Sequence, residues 1–218
     1  MYRSGRTGSA AGAPTAAPLR TTGRSASGGA DLLALLAIIL AINASLLVGR
    51  VPVAFILPPA ASGSGAWWSW ITHPFAHVSL YHAALDAGAF LLLYAALPHR
   101  TRAWTALASA AGSTGAALLA PGALAQGFCG LSGAGHGLMV ATALLLMRAA
   151  DESSRKVGIV ALVLVLGKCG LEAALGTVVF AGWHLGDVGA PVAVCHLGGA
   201  LGALAAASFR LVVRRRAW

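Results

Sequence analysis

Six long apolar runs constrain this chain more than any other feature of its sequence. They cover residues 32–48, 80–97, 103–120, 131–147, 157–180 and 191–213. Each run is close to the roughly 20 residues that a helix needs to cross a bilayer. Only 10% of the 218 residues are charged, whereas a soluble domain carries about 25%. We therefore expect an all-α membrane protein, with six transmembrane helices forming one bundle over residues 31–213.

The positive charge predicts how these helices are oriented. The net charge is +9, and all Lys and Arg residues except Arg50 and Lys168 fall outside the spans, or near the end of the last one, on the side where six spans place both termini. The positive-inside rule then predicts that both termini are cytoplasmic. Anionic lipid headgroups are the expected counter-charge. No basic patch interleaved with aromatic residues indicates binding of nucleic acid.

Both ends of the chain are predicted to lie outside the bundle. Residues 1–30 are rich in Ala, Gly, Ser, Thr and Arg, which is typical of a disordered cytoplasmic tail. Residues 214–218 form a basic cytoplasmic C-terminus. The tail followed by the run 32–48 also resembles a secretory signal. Its cleavage would leave an odd number of spans, so an uncleaved signal-anchor is the favoured alternative.

Polar side chains inside the apolar runs are the candidate functional residues, because ionisable groups are costly within a bilayer. Six of them form pairs at a spacing of four, which puts each pair on one helix face. These pairs are His82 with Asp86, Ser132 with His136, and Lys168 with Glu172, and His196 stands alone near the start of the last run. Tryptophans before the second run, at 67, 68 and 70, fit the aromatic belt of a membrane interface.

Three candidates are predicted to lie at a similar depth. Ser132, His82 and His196 each stand near the beginning of a run that starts on the outer side. At about 1.5 Å per residue, all three fall within the outer half of the bilayer. A serine and two imidazoles at one depth, reached by water through an outward-opening cavity, favour a serine hydrolase over a channel.

Three motifs on these spans resemble the rhomboid family of intramembrane serine proteases. "GLSG" at 130–133 is similar to the family's Gly-x-Ser-Gly, "CHLGGALGAL" from Cys195 to its His-x-x-Gly, and "HVSLYHAALD" from His77 to a stretch ending in His-x-x-x-Asn. The resemblance implies Ser132 as the nucleophile, His196 as the general base and Gly199 as a close-packing glycine. It also implies an oxyanion site supported by His82, Asp86, His136, Gly130 and Gly133.

A subfamily, the rhombosortases, is more similar still over residues 65–210. The combination consists of "HPFAHVSLYHAALD", a histidine four residues after the serine in "GLSGAGHG", and the Lys and Glu of "GKCGLEAALG". This resemblance implies a bacterial inner-membrane enzyme whose active site opens to the periplasmic side. The implied substrates are membrane-anchored exported proteins with a C-terminal Gly-Gly-type tail that contains a transmembrane helix. No cofactor and no metal is implied.

One residue departs from the rhomboid pattern, since Asp86 stands where the family has Asn. An ionised Asp only accepts hydrogen bonds and would repel a developing oxyanion. Asp86 is therefore expected either to carry a proton or to hold His82 in one tautomer, which leaves backbone N–H groups near Ser132 for the oxyanion. The departure keeps open a second function, a catalytically inactive rhomboid-like protein that binds or escorts membrane substrates.

Structural interpretations of the same residues stand beside the catalytic ones. A serine among glycines fits helix packing, and lone histidines fit interhelical hydrogen bonds. Lys168 and Glu172 are interpreted first as a neutralising pair inside the bundle, with substrate reading or a relay as alternatives. His136 either packs against His196 or sets its tautomer.

Metal and disulfide alternatives are weaker. A zinc site on His73, His77 and His82 is disfavoured because neither His-Glu-x-x-His nor Cys-x-x-Cys occurs. Cys129 and Cys195 stand close to Ser132 and His196 in sequence and would form a clamp if they were bridged, but small buried thiols are the favoured interpretation. A transporter is disfavoured because we see no convincing internal repeat.

Overall fold

The protein is all-helical over the residues that its structure describes. The computed structural model describes residues 27–59, 65–120, 122 and 124–216. Seven α-helices occur in these segments: α1 (Ser27–Asn43), α2 (Ser69–Thr72), α3 (Leu80–Ala96), α4 (His99–Leu119), α5 (Ser132–Leu146), α6 (Glu152–Leu175) and α7 (Val194–Arg216). The same segments contain no β-strand, only an isolated bridge between Leu57 and Phe128.

The apolar runs and the helices coincide closely. Each of the six runs overlaps one of the long helices α1 and α3–α7. By length and composition, two helical segments of the described chain are able to cross a membrane, Gly29–Val48 and Glu152–Leu175. A third is added if Ser69–Phe75 and Leu80–Ala96, which meet at 90°, count as one span. The apolar helices thus support a membrane protein.

The boundaries at both ends differ slightly from those predicted. Helix α1 begins at Ser27, so residues 27–30 of the predicted tail are helical, and residues 1–26 lie outside the described part. Helix α7 runs to Arg216, which makes residues 214–216 a helical extension of the last apolar run. Residues 217–218 lie outside the described part as well.

Helices α4, α5 and α7 pack closely because small residues line their contacts. On α4, Thr105, Ser109 and Ser113 recur at intervals of four and are buried, and Ala117 continues the row. The hydroxyl of Ser109 donates to the carbonyl of Thr105, so its burial leaves no polar group unpaired. Small side chains let helix backbones approach each other without lipid or water between them.

Glycines set the closest approach of α7 to its neighbours. A methyl group on Gly199 would overlap the carbonyl of Gly133 on α5, and one on Gly112 would overlap the carbonyl of Gly198. Any larger residue at these positions would push α7 away from α4 and α5. The glycines therefore hold the start of α7 beside the start of α5, where Ser132 lies.

A partly buried polar cluster joins the start of α1, the end of α3 and the start of α4. Asp31 accepts hydrogen bonds from the hydroxyl of Tyr94 and from the guanidinium of Arg102. That guanidinium also lies 4.9 Å from the centre of the Tyr94 ring. This cluster ties α1 to the bundle at the end of α3 that is far from His82, so it serves packing rather than the candidate site.

Candidate active site

Ser132 is the first residue of α5 and follows a glycine with an unusual backbone conformation. Gly130 has φ +100°, a region that L side chains rarely adopt. A Cβ on Gly130 would lie 2.9 Å from Asp86 Oδ2 and 3.1 Å from His82 Nε2. The turn at Gly130 thus brings the start of α5 against α3, which places Ser132 between α3 on one side and α7 on the other.

His196 approaches Ser132 from the start of α7. Its Nε2 lies 3.2 Å from Ser132 Oγ, and the side chain is buried. The contact joins residues 64 positions apart in sequence. It depends on the glycine contact of Gly133 with Gly199, one turn further along α7. The serine and histidine of the two motifs are therefore within hydrogen-bond reach of each other, as a nucleophile and its base must be.

Glu172 lies on the other side of the His196 ring. Its Oε2 is 2.6 Å from His196 Nδ1, and its Oε1 is 2.7 Å from Lys168 Nζ. The backbone N–H of Val179 also donates to Oε1 at 2.9 Å. The pair predicted between Lys168 and Glu172 is thus present, but the sequence did not indicate that Glu172 also contacts His196.

His136 completes this group of side chains. Its ring stacks on that of His196, with centroids 4.0 Å apart and an interplanar angle of 19°. Nδ1 of His136 lies 2.8 Å from the carbonyl oxygen of Ser132, and Nε2 lies 2.9 Å from Lys168 Nζ. A carbonyl only accepts and an ammonium only donates. His136 is therefore neutral, with its proton on Nδ1.

His82 and Asp86 lie on the backbone side of Ser132. Asp86 Oδ2 is 3.0 Å from His82 Nε2 and accepts a hydrogen bond of 3.1 Å from the N–H of Ser132. The sequence led us to expect that this N–H would be available to an oxyanion if Asp86 held His82. Instead, one carboxylate oxygen engages both groups. The nearest donors for an oxyanion are thus already occupied by Asp86.

A second pair of histidines, His77 and His82, has only one of its four ring nitrogens hydrogen-bonded, Nε2 of His82 to Asp86. His77 and His82 meet edge to face, with ring centroids 5.0 Å apart. Both ring nitrogens of His77 and Nδ1 of His82 are buried without a hydrogen-bond partner. His73, in contrast, uses both of its ring nitrogens, toward the carbonyl of Ser69 and the hydroxyl of Thr114. The hydrogen bonds of His73 therefore occupy both of the ring nitrogens that a metal would need.

One group of described residues has the donor set of a metal site. Ligand atoms of His136, Glu172 and His196 lie within 4.8 Å of one another. Lys168 Nζ contacts both His136 Nε2 and Glu172 Oε1. An ammonium ion thus already supplies the positive charge that a metal would bring, and the parallel stacking of the two imidazoles does not turn both toward one point.

A cavity of about 600 Å³ gives access to Ser132 and His196. Its walls are mostly apolar and include side chains from the segment between α6 and α7. Among the lining residues are Tyr81, Met139, Phe180, Trp183 and Val192. An apolar cavity with a few convergent polar groups is the usual form of a binding site. The cavity is large enough for several residues of an extended peptide.

The cysteines near the site are separate thiols. Cys129, Cys169 and Cys195 form no disulfide, and Cys195 Sγ lies 3.9 Å from Ser132 Oγ. Burial raises the pKa of the Cys129 thiol to about 12, so this thiol is protonated at neutral pH. It is therefore a poor nucleophile, because the thiolate is the reactive form. The bridge between Cys129 and Cys195 considered from the sequence is not formed.

The predicted catalytic and supporting side chains His82, Asp86, His136 and His196 lie around Ser132, and two contacts at the site were not indicated by the sequence. The first joins Glu172 to His196, and the second joins Asp86 to the N–H of Ser132. The spacing between Glu172 and the start of α7 carries no periodic signal, because the two helices are connected by a long irregular segment. No family model, no curated protein and no solved structure shows significant similarity to the chain.

Proposed function

We propose that this protein is an intramembrane serine endopeptidase of the rhomboid type, most similar to the rhombosortases. The observation that carries the proposal is the 3.2 Å contact between His196 Nε2 and Ser132 Oγ at the wall of a 600 Å³ cavity. A serine held only for helix packing needs neither a buried imidazole at its hydroxyl nor access to a cavity. The motifs around both residues add the resemblance described above.

The proposed reaction is acyl transfer to Ser132. His196 Nε2 accepts the proton of the Ser132 hydroxyl while Oγ attacks a peptide carbonyl. The imidazolium then gives this proton to the leaving amine, and water hydrolyses the ester. The N–H of Ser132 and the ring of His82 are the donors closest to the place where the oxyanion forms. Asp86 has to release them or to be protonated during this step.

The proposed setting is the bacterial inner membrane, crossed by the six helices α1 and α3–α7. Helices α4, α5 and α7 pack against one another through rows of small residues, among them Ser109, Gly133 and Gly199, as the central helices of a membrane bundle would. In the topology that the charges favour, both termini are cytoplasmic, and α3, α5 and α7 begin on the periplasmic side. The cavity then opens toward that side.

The proposed substrates are exported proteins with a C-terminal Gly-Gly-type tail. A peptide bond inside a helix is shielded by the helix hydrogen bonds, so a protease needs a segment that unwinds at little cost. Glycine weakens a helix by about 1 kcal/mol relative to alanine. The apolar walls of the cavity fit a small-residue segment that continues into a transmembrane helix.

The proposal is tested by co-expression with a reporter that ends in such a tail. The wild-type protein should shorten the reporter at its C-terminus, as measured by intact mass, and Ser132→Ala should leave it whole. A control reporter whose glycines are changed to leucine should stay uncut with both proteins. A reporter that is shortened equally by wild type and by Ser132→Ala would contradict the proposal.

A second candidate function is binding or escort of membrane substrates without cleavage. The specific observation in its favour is that Asp86 already engages the N–H of Ser132 and His82 Nε2. A protein of this kind would co-purify with the uncut reporter, and Ser132→Ala would not alter the amount recovered. The glycine-to-leucine reporter serves again as the control for specific recognition.

A further inference from the structure

Glu172 is more deeply buried and more fully bonded than a helix-surface ion pair requires. Its side chain has no exposed area, and it contacts Lys168, Val179 and His196 at once. The same helix carries a second Glu/Lys pair at a spacing of four, Glu152 with Lys156, whose side chains are 70% and 72% exposed. That pair makes an ordinary solvated contact. The burial of Glu172 and its third partner therefore call for another explanation.

The bond between Glu172 and His196 fixes which ring nitrogen carries a proton. A carboxylate only accepts, so the 2.6 Å contact requires a proton on His196 Nδ1. The other nitrogen, Nε2, then has a lone pair that faces Ser132 Oγ at 3.2 Å. This is the tautomer in which an imidazole is able to take the serine proton. In the triad of a serine protease, the carboxylate of the third residue orients the histidine in the same way.

Lys168 and His136 hold the arrangement in place. The Lys168 ammonium contacts Glu172 Oε1 and His136 Nε2, so the buried carboxylate is paired with a cation. His136 donates from Nδ1 to the carbonyl of Ser132 and stacks on the His196 ring. The network therefore runs from the backbone of Ser132 through four side chains back to the hydroxyl of the same serine. These contacts restrain the rings of His136 and His196 together with Ser132.

We propose that Glu172 is the positioning carboxylate of a Ser132–His196–Glu172 triad, held by Lys168 and His136. This inference rests on the proposed function for its catalytic meaning. During attack, the Oγ–C bond forms as the carbonyl π bond opens to an oxyanion, the hydroxyl proton moves to His196 Nε2, and the Nδ1 proton stays between His196 and Glu172. The carboxylate stabilises the imidazolium until its Nε2 proton passes to the leaving amine as the C–N bond breaks, and water then hydrolyses the ester. Glu172 touches no substrate and acts through His196.

Glu172→Gln tests the proposal because it keeps the shape and changes the hydrogen bonding. The carbonyl of Gln would accept from Lys168 and Val179, and its NH₂ group would face His196 Nδ1. That arrangement moves the ring proton to Nε2, which is the wrong tautomer for accepting the serine proton. An equivalent change in a Ser-His-Asp protease lowers kcat about 10⁴-fold.

The experiment measures two quantities on the full-length protein in detergent. The first is the rate at which a fluorophosphonate probe labels Ser132, and the second is the tautomer of His196 from the ¹⁵N chemical shifts of labelled histidines, assigned with His196→Ala. In Glu172→Gln, we expect labelling to slow at least about 100-fold and the His196 proton to move from Nδ1 to Nε2. Glu172→Asp keeps the charge and should retain the Nδ1 proton with a smaller loss of rate. Glu152→Gln, in the exposed pair, should change neither quantity.

Each outcome decides the inference. A Glu172→Gln protein that labels within about threefold of wild type, with its His196 tautomer unchanged, would overturn it. If wild type fails to label at all, the protease proposal fails, but a tautomer change in Glu172→Gln still supports the positioning role. If Glu172→Gln does not fold, the wild-type spectrum decides alone, since a proton on His196 Nε2 would contradict the proposed bond.

Discussion

Two carboxylates flank Ser132, and each contacts one histidine and one backbone N–H. Glu172 contacts Nδ1 of His196 and the N–H of Val179, whereas Asp86 contacts Nε2 of His82 and the N–H of Ser132 itself. On the first side, Nε2 of the histidine is left to face the serine hydroxyl. On the second side, the carboxylate occupies Nε2, and Nδ1 of the histidine is buried without a partner.

The comparison teaches that the ring nitrogen bonded by the carboxylate determines which nitrogen of the histidine is left for another partner. In the proposed enzyme, a carboxylate at Nδ1 would prepare the ring as a base toward the serine, while one at Nε2 would compete with an oxyanion for the same donor. The two sides also differ in charge balance. Glu172 is paired with Lys168, whereas the ion pair of Asp86 within the described residues is with His82. We therefore expect neutralisation of the two carboxylates to have opposite effects on activity.

The largest effect, on the free energy of unfolding, is expected from removal of the cation that neutralises Glu172. Lys168→Met removes the ammonium and leaves the fully buried carboxylate of Glu172 without a cation. Removal of one partner from a buried pair destabilises a protein by about 3–5 kcal/mol, and the partial exposure of Lys168 reduces this to about 2–3 kcal/mol. The shift of the thermal unfolding midpoint measures it.

Two controls sharpen this measurement. Lys156→Met, in the exposed pair with Glu152, should change the free energy of unfolding by less than about 0.5 kcal/mol. The double variant Lys168→Met/Glu172→Gln should be more stable than Lys168→Met alone, because it no longer buries an unpaired charge. Equal midpoints for Lys168→Met and Lys156→Met would show that the buried pair contributes no more to stability than the exposed pair does.

A smaller effect is expected from Gly130→Ala, which disturbs the Asp86 side alone. The new Cβ would lie 2.9 Å from Asp86 Oδ2 and 3.1 Å from His82 Nε2, and alanine at positive φ is unfavourable by about 1–2 kcal/mol. Fluorophosphonate labelling should slow by roughly tenfold, which corresponds to about 1.4 kcal/mol. The His196 tautomer should stay as in wild type. A change of that tautomer would contradict the separation of the two sides.

The effect of Asp86→Asn should have the opposite sign to that of Glu172→Gln. A neutral amide holds the N–H of Ser132 less strongly than a carboxylate does, and its NH₂ group offers a further donor to the oxyanion. We expect labelling to be faster by about threefold to tenfold, which corresponds to about 0.7–1.4 kcal/mol. Slower labelling would mean that the Asp86 carboxylate is required, and would contradict the expected opposite effects of the two carboxylates.

The smallest effect is expected from the thiol nearest to Ser132 in sequence. Burial raises the pKa of Cys129 to about 12, so its thiolate fraction is negligible near pH 8 and rises only as the pH approaches that value. Cys129→Ala should leave the labelling rate within about twofold of wild type. Alkylation of Cys129 by iodoacetamide at pH 8 that is as fast as that of a free cysteine would contradict the expected burial.

The sequence predicted most of the helices and most of the residues at the site. Apolar runs predict helices well because hydropathy is a local property, and the ends of α3 and α5 lie within one residue of the predicted limits. The start of α6 was placed five residues late, since Glu152 and its polar neighbours belong to a helix capped by the side chain of Asp151. A helix that begins with polar residues starts before its apolar run, so hydropathy alone places its first residue too late.

The contacts of the two carboxylates were not predictable in the same way. A spacing of four placed Glu172 beside Lys168 and Asp86 beside His82, because both pairs lie within one helix. The contact of Glu172 with His196 depends on how α6 and α7 cross, and the contact of Asp86 with Ser132 depends on the turn at Gly130. Such relations between helices come from tertiary packing, which a single sequence does not encode in a local pattern.

The most direct test of the account is to locate the phosphonate adduct by peptide mapping of labelled protein. We predict an adduct on Ser132 in the folded wild-type protein and none after Ser132→Ala or His196→Ala. An adduct on another serine, such as Ser113 beside Gly133, would contradict the assignment of the nucleophile. A folded wild-type protein without any adduct would contradict the activation of Ser132 by His196.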